Sequence, residues 1–206
     1  MTFDFDITTY HKLNVIDTCS IWNILACPRI YSATIDASCY FSFTEYVHYE
    51  CLFKKRSTCT PKSLQNKLKT EVDQKRFMKI NLSIDDLQEI SLLENRKKLG
   101  MGELSSIALA KKTKQVFFTD DKKARQLGEQ ILGKENVQTT PRLVGAFFYQ
   151  RILADEDLNI ILEQHKASLN STWGDLTPFF KEIYKTSLER RALNSITNMN
   201  NLNSGT

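Results

Sequence analysis

The side chains best suited to chemistry in this sequence are carboxylates at the ends of short apolar runs. Asp17 closes KLNVID (residues 12–17), and Asp120 and Asp121 follow Val116-Phe117-Phe118 in VFFTDD. Glu103 stands behind Gly100 and Gly102 in LGMGELSSIALA. Two glycines let the backbone turn tightly there and leave the acid in the first turn of a helix, where the dipole favours negative charge. Glu45 and Glu50 lie on a further helical segment, EYVHYECLF, and one of them can face the same rim. Carboxylates gathered in this way suit magnesium or manganese, which prefer oxygen ligands. Two such ions about 4 Å apart activate a water and stabilise the leaving oxygen of an in-line phosphodiester displacement. The plainer alternative for Asp120-Asp121 is a helix cap ahead of Lys122-Lys123-Ala124-Arg125, since Asp is a favoured N-cap.

The elements that must carry these acids alternate between strand and helix. A strand over 12–17 leads into a helix opened by Thr18-Cys19-Ser20 and stopped by Pro28, with a second piece of unassigned form over 29–37. An aromatic strand spans 38–43, and Thr44 is placed to cap a helix over 45–53. After Pro61 comes a helix or extended excursion, then a strand over 77–82 and a helix over 84–98, whose Ser83 and Asp86 resemble a capping box. Leu104, Ile107 and Ala108 form the apolar stripe of the helix that Glu103 begins. The run 116–118 suits a strand covered on both faces. A helix over 121–132 ends at Gly133, a fifth strand covers 136–140, and helices follow over 141–153, 156–168 and 176–191. This order predicts an α/β fold with a parallel sheet, which binds ligands beyond the carboxyl ends of its strands. The expected divisions are 1–150 for the sheet domain, 151–192 for a C-terminal helical extension, and 193–206 for a disordered tail rich in Asn, Ser and Thr.

Composition narrows the class. The chain of 206 residues is 41% hydrophobic, enough to bury one full core. Its start, MTFDFDITTYHK, carries acids and no long apolar run, so it does not read as a signal peptide, and no membrane span is expected. A cytoplasmic protein is the expectation, and it agrees with five cysteines (Cys19, Cys27, Cys39, Cys51, Cys59) that form neither an even set nor a C-x-x-C pair. His48 and Cys51 stand three apart, but no second pair completes a zinc site. Charge is uneven: residues 54–79 hold nine basic residues against Glu71 and Asp73, a net +7 in a chain whose total is +4. Lys54, Lys55, Arg56, Lys62, Lys67 and Lys69 are therefore candidate phosphate contacts for a polyanion, with a solvated helical face as the alternative.

Four stretches taken in order, N-V-I-D-T-C-S, F-T-E-Y-V-H-Y-E-C, G-M-G-E-L-S-S-I-A-L-A and F-F-T-D-D-K-K-A-R, resemble the PIN domain family over roughly residues 12–150. The third and fourth are the most specific, and they are similar to the subset related to bacterial toxin-type ribonucleases. The resemblance implies a three-layer α/β/α fold and Mg2+- or Mn2+-dependent endonuclease activity on RNA. It implies metal-ligating, catalytic roles for Asp17, Glu50, Glu103 and Asp121. The Val47-x-x-Glu50 spacing favours Glu50 over Glu45, and the family's acid two residues after the Thr favours Asp121, with Asp120 as a neighbouring ligand. Thr18 and Thr119 match supporting polar positions. The basic excursion and the helices after residue 150 depart from compact toxin members; those helices resemble an added arm, a surface for a second copy or for a protein partner such as an antitoxin. Whether the chain is the toxin of a toxin–antitoxin pair or a defence or RNA-processing nuclease stays open, as does a structure-specific DNA nuclease.

Other folds with acids at strand tips fit poorly. A receiver domain needs an acidic pair after the first strand, where this chain has Asp17-Thr18-Cys19, and a haloacid-dehalogenase-like phosphatase needs Asp where Cys19 stands. Gly100-x-Gly102 lacks the third glycine and the preceding strand of a dinucleotide site. The non-enzyme alternative is a PIN-fold RNA-binding or scaffold module with an inactive site.

Overall fold

The computed structural model describes residues 6–54, 61–94, 99–168 and 174–203. Five short strands, β1 (Leu13–Ile16), β2 (Tyr40–Thr44), β3 (Phe77–Ile80), β4 (Val116–Phe118) and β5 (Val137–Gln138), form one parallel sheet in the order β3-β2-β1-β4-β5. The chain winds outward from β1 to β3, then returns to lay β4 beside β1, pairing Ile16 with Phe118. The order therefore reverses between β1 and β4. At that point the two connections leave in opposite directions and open a crevice above the carboxyl ends of the strands.

Period-2 alternation divides the strand side chains between two helical layers. Val15, Phe117 and Val137 face α6 (Met101–Thr113) and α7 (Lys122–Leu132), with Ile90 of α5 (Ile84–Glu94) in the same cluster. Ile16, Phe41, Phe43, Phe77 and Phe118 face α1 (Thr18–Ala26), α2 (Pro28–Asp36), α8 (Thr140–Tyr149), α9 (Asp157–Ser168) and α10 (Thr177–Asn203). Two further helices, α3 (Glu45–Leu52) and α4 (Lys62–Asp73), join β2 to β3. The excursion after Pro61 is thus helical, and the piece after Pro28 is a helix with that proline at its start.

Local signals account for most of the boundaries. Thr44 caps α3 by accepting from Val47 N, and Ser83 and Asp86 form a reciprocal box at the start of α5. Rather than showing a stripe, α6 is buried all along Leu104 to Ala110, because its serines and alanines let neighbouring elements approach from every side. Ser105 Oγ lies 2.7 Å from Thr44 Oγ1 and ties α6 to the tip of β2.

Two expectations about the C-terminal region change. The helices after residue 150 share the main buried cluster, to which Leu153, Ile161, Leu162, Leu176 and Phe180 contribute alongside Ile16 and Trp22. The tail expected to be disordered from 193 instead continues α10 to Asn203. After Pro178 no Pro or Gly interrupts the chain before Gly205, and Asn, Ser and Thr are weak helix formers rather than breakers.

Candidate active site

Asp17 sits where β1 ends and α1 begins, and it is 2% exposed. Its Oδ1 accepts the Ser20 N–H at 2.9 Å as the N-cap of α1, Thr119 Oγ1 donates to Oδ2, and the Cys19 thiol donates at 3.2 Å. Burial pushes its carboxyl up to about 7, and the charge of Asp120 adds to the rise, while the bonds from Thr119, Ser20 and Cys19 oppose it. Across the crevice, Thr119 Oγ1 also accepts the Asp121 N–H at 3.1 Å, so one hydroxyl links the tips of β1 and β4.

Glu50 reaches the same rim from the second turn of α3. Thr18 Oγ1 donates to its Oε2 at 2.8 Å, and Lys54, one turn further on, meets its Oε1 at 3.3 Å. The first turn of α6 makes room for it: a Cβ at Gly102 would lie 2.6 Å from Glu50 Oε2. The Gly-x-Gly spacing therefore serves Glu50 as well as the turn. Glu103 folds back so that its Oε2 accepts the Gly100 N–H at 2.7 Å. Its carboxyl is pushed above the usual range, first by burial and then by the charges of Asp121 and Glu50, against the Gly100 bond and Lys54.

Glu45 is exposed in the first turn of α3 and lines a cleft of about 470 Å³ with Tyr46, Tyr49, Glu50, Lys54, Gly100 and Met101. The two acids after β4 divide their roles in a way the sequence does not reveal. Asp121 caps α7, with Oδ1 accepting from Lys123 N and Ala124 N, both at 2.8 Å. Asp120 turns away: it accepts from Thr140 N at 2.7 Å, Thr140 Oγ1 at 2.6 Å and Asn23 Nδ2 at 2.8 Å. Those bonds make Asp120 a junction of β4, α1 and α8, with both of its oxygens engaged by the scaffold.

The six basic candidates separate as well. Lys55 and Arg56 lie outside the described residues. Lys54 pairs with Glu50, while Lys62 and Lys69 are exposed on α4. Lys67 is engaged by the fold: its Nζ donates to Leu25 O at the end of α1 and lies 4.5 Å from the centre of the Tyr31 ring. His48 stacks on Phe43 and Cys51 is buried, so that pair belongs to the packing.

Among the described residues no three His, Cys, Asp or Glu side chains stand close enough together to hold a metal ion. Sequence reasoning overlooked Cys19, Ser20, Asn23 and Thr140, which hold Asp17 and Asp120 in place. Ser20 carried a signal, since it stands three residues after an Asp that caps a helix. No protein-family model, curated protein or solved structure matches the chain. Among the described residues no helix is long and apolar enough to cross a membrane.

Proposed function

We propose that this chain is a PIN-like endoribonuclease that hydrolyses phosphodiester bonds of single-stranded RNA with magnesium or manganese. The observation that carries the reading is that Glu50, Glu103 and Asp121, on three separate elements, lie near enough for their charges to act on one another, with Glu50 held by Thr18, the neighbour of Asp17 at the end of β1. Their oxygens are the donors a hard divalent cation takes, and Asp17 and Glu103 both carry like-charge neighbours that a cation would relieve. The donor set fits in kind but not in spacing, since no three of these side chains stand within reach of one ion in this structure; to hold an ion, the four acids would have to draw together around it. A divalent cation so bound supplies a water of lowered pKa and stabilises the leaving oxygen. Thr119 orients Asp17, Thr18 turns Glu50 towards the strand tips, and exposed Lys62 and Lys69 offer phosphate contacts independent of base identity.

A second reading has its own support: every one of these acids also makes a structural hydrogen bond, and Asp17 and Asp121 are helix caps. A PIN-fold scaffold without catalysis would need no more than that. Incubating the purified chain with single-stranded RNA, with magnesium, manganese or a chelator, decides between them. Cleavage that needs metal and is lost in Glu103→Gln is expected. Inertness with both metals favours the scaffold, and cleavage confined to flapped DNA moves the substrate to DNA.

A further inference from the structure

The cleft beside Glu50 is lined by Tyr49, which belongs to an exposed aromatic pair that the four acids do not use. Tyr49 on α3 and Phe53, the residue just past its end, stack with ring centroids 6.4 Å apart and planes 16° from parallel. They remain 56% and 63% exposed. His48 backs Phe53 at 5.6 Å and is itself stacked on the buried Phe43, so the outer ring is anchored to the core. Single exposed aromatics are ordinary, but a near-parallel pair of exposed rings, one of which lines the cleft, forms a preorganised aromatic surface. Cations flank it: Lys54 lines the cleft, and the charge of Lys79 reaches His48. A volume of about 470 Å³ falls within the range of sites that take small organic groups such as one nucleotide.

We propose that Tyr49 and Phe53 form a stacking platform for unpaired bases of a single-stranded nucleic acid whose backbone passes Lys54 on its way to the acids. Every base has a π face, so such a platform tolerates all sequences and rejects duplexes, whose bases are already stacked. A positive charge at its edge matches the backbone of such a strand. The inference deepens the nuclease reading and rests on it for the choice of RNA over DNA. It explains why this rim would select single strands: a base must be splayed out before its phosphate can reach Glu50.

Binding of the full chain to short labelled oligouridylate, oligoadenylate and duplex RNA, measured by fluorescence anisotropy in a chelator, tests the platform apart from catalysis. Tyr49→Ala and Phe53→Ala should each weaken binding to both single strands by about tenfold. Their salt slopes should match the parent's, because no phosphate contact is removed. Tyr49→Phe and Phe53→Trp should restore affinity, and duplex binding should not change. The proposal is overturned if the alanine variants bind single strands as the parent does, if the parent binds none, or if Phe53→Trp fails like Phe53→Ala. A parent that self-associates through these rings, shown by size-exclusion elution that the alanine variants shift, also overturns it in favour of a protein interface. A chain that binds through the rings but cuts nothing keeps the platform and loses the nuclease reading. One that cuts RNA regardless of the rings does the reverse.

Discussion

Asp17 answers to two demands that pull against each other. As the cap of α1 it profits from being ionised, since Ser20 N, Thr119 and Cys19 all donate to it, yet its burial beside Asp120 favours the protonated form. Burial wins, and the folded carboxyl rises from an ordinary 3.8 to about 7. A folded pKa above the unfolded one means the native state holds its proton more tightly, so stability falls as pH rises from about 4 to about 7. Asp17→Asn removes that dependence while an amide oxygen still accepts from Ser20. In metal-free buffer above pH 7 the variant should match the parent or exceed it by up to about 4 kcal/mol, the free energy of moving a pKa from 3.8 to about 7, and the two should converge near pH 4. Denaturant melts across this range check it; a variant that unfolds at every pH would make Asp17 purely structural and remove the main support for catalysis. Gly102 offers the opposite dissociation. Alanine there brings a Cβ against the movable end of Glu50 rather than against backbone, and improves helix propensity by about 1 kcal/mol. Gly102→Ala should therefore melt within about 1 kcal/mol of the parent while losing most RNA cleavage, because Glu50 is displaced from Thr18.

Among the elements, α4 shows how composition and orientation part company. Its charge is visible in the sequence, but which lysine faces which way depends on what packs beneath it. Lys67 is drawn in by the last carbonyls of α1 and the ring of Tyr31, while Lys62 and Lys69 stay in water. Lys67→Ala should destabilise the fold by about 1 kcal/mol, the typical net value of one such hydrogen bond, without changing the salt slope of RNA binding. Lys62→Ala and Lys69→Ala should leave melting alone and each lower that slope by about one unit. Thermal melts beside salt titrations separate the two roles, and a Lys67 variant that lowers the slope would return it to the RNA-binding face. The same contrast explains what could be read in advance. Strand tips, caps and the glycine-flanked acid were legible because each depends on neighbours within four residues, as Thr44 with Val47 and Ser83 with Asp86. The division between Asp120 and Asp121 was not, since it rests on Asn23 and Thr140, 97 and 20 residues away. Nor was the partnership of Glu50 with Thr18, 32 residues away, which the resemblance marked as separate site positions without pairing them.

At the scale of the whole molecule, the acids keep their places only if the layer beneath them is complete, and that layer reaches past residue 150. The Arg29 guanidinium pairs with Asp157 at 2.7 Å, fastening α2 to the start of α9. Gly145 of α8 lies so close to Ile183 of α10 that a Cβ would meet Ile183 Cγ1 at 2.3 Å, and Ser187 Oγ donates to Gly145 O at 2.8 Å. Asp120 in turn holds the start of α8 through Thr140, so the C-terminal helices support the rim at one remove. Ending the chain after residue 150 removes Leu153, Ile161, Leu162, Leu176, Phe180 and Ile183 from the buried interior. At roughly 1.5–3 kcal/mol for each fully buried apolar side chain, the loss is about 10 kcal/mol or more, comparable with the entire net stability of an ordinary domain. The 1–150 fragment should therefore show no cooperative unfolding transition, whereas a chain ended after residue 192 should melt as the parent does, because the end of α10 beyond it adds exposed residues such as Leu193 and Ile196. Circular dichroism melts of the two truncations are the measurement. A 1–150 fragment that unfolds cooperatively and still cleaves RNA would make the later helices an appended arm, and the sheet with its acids would then stand as a domain of its own.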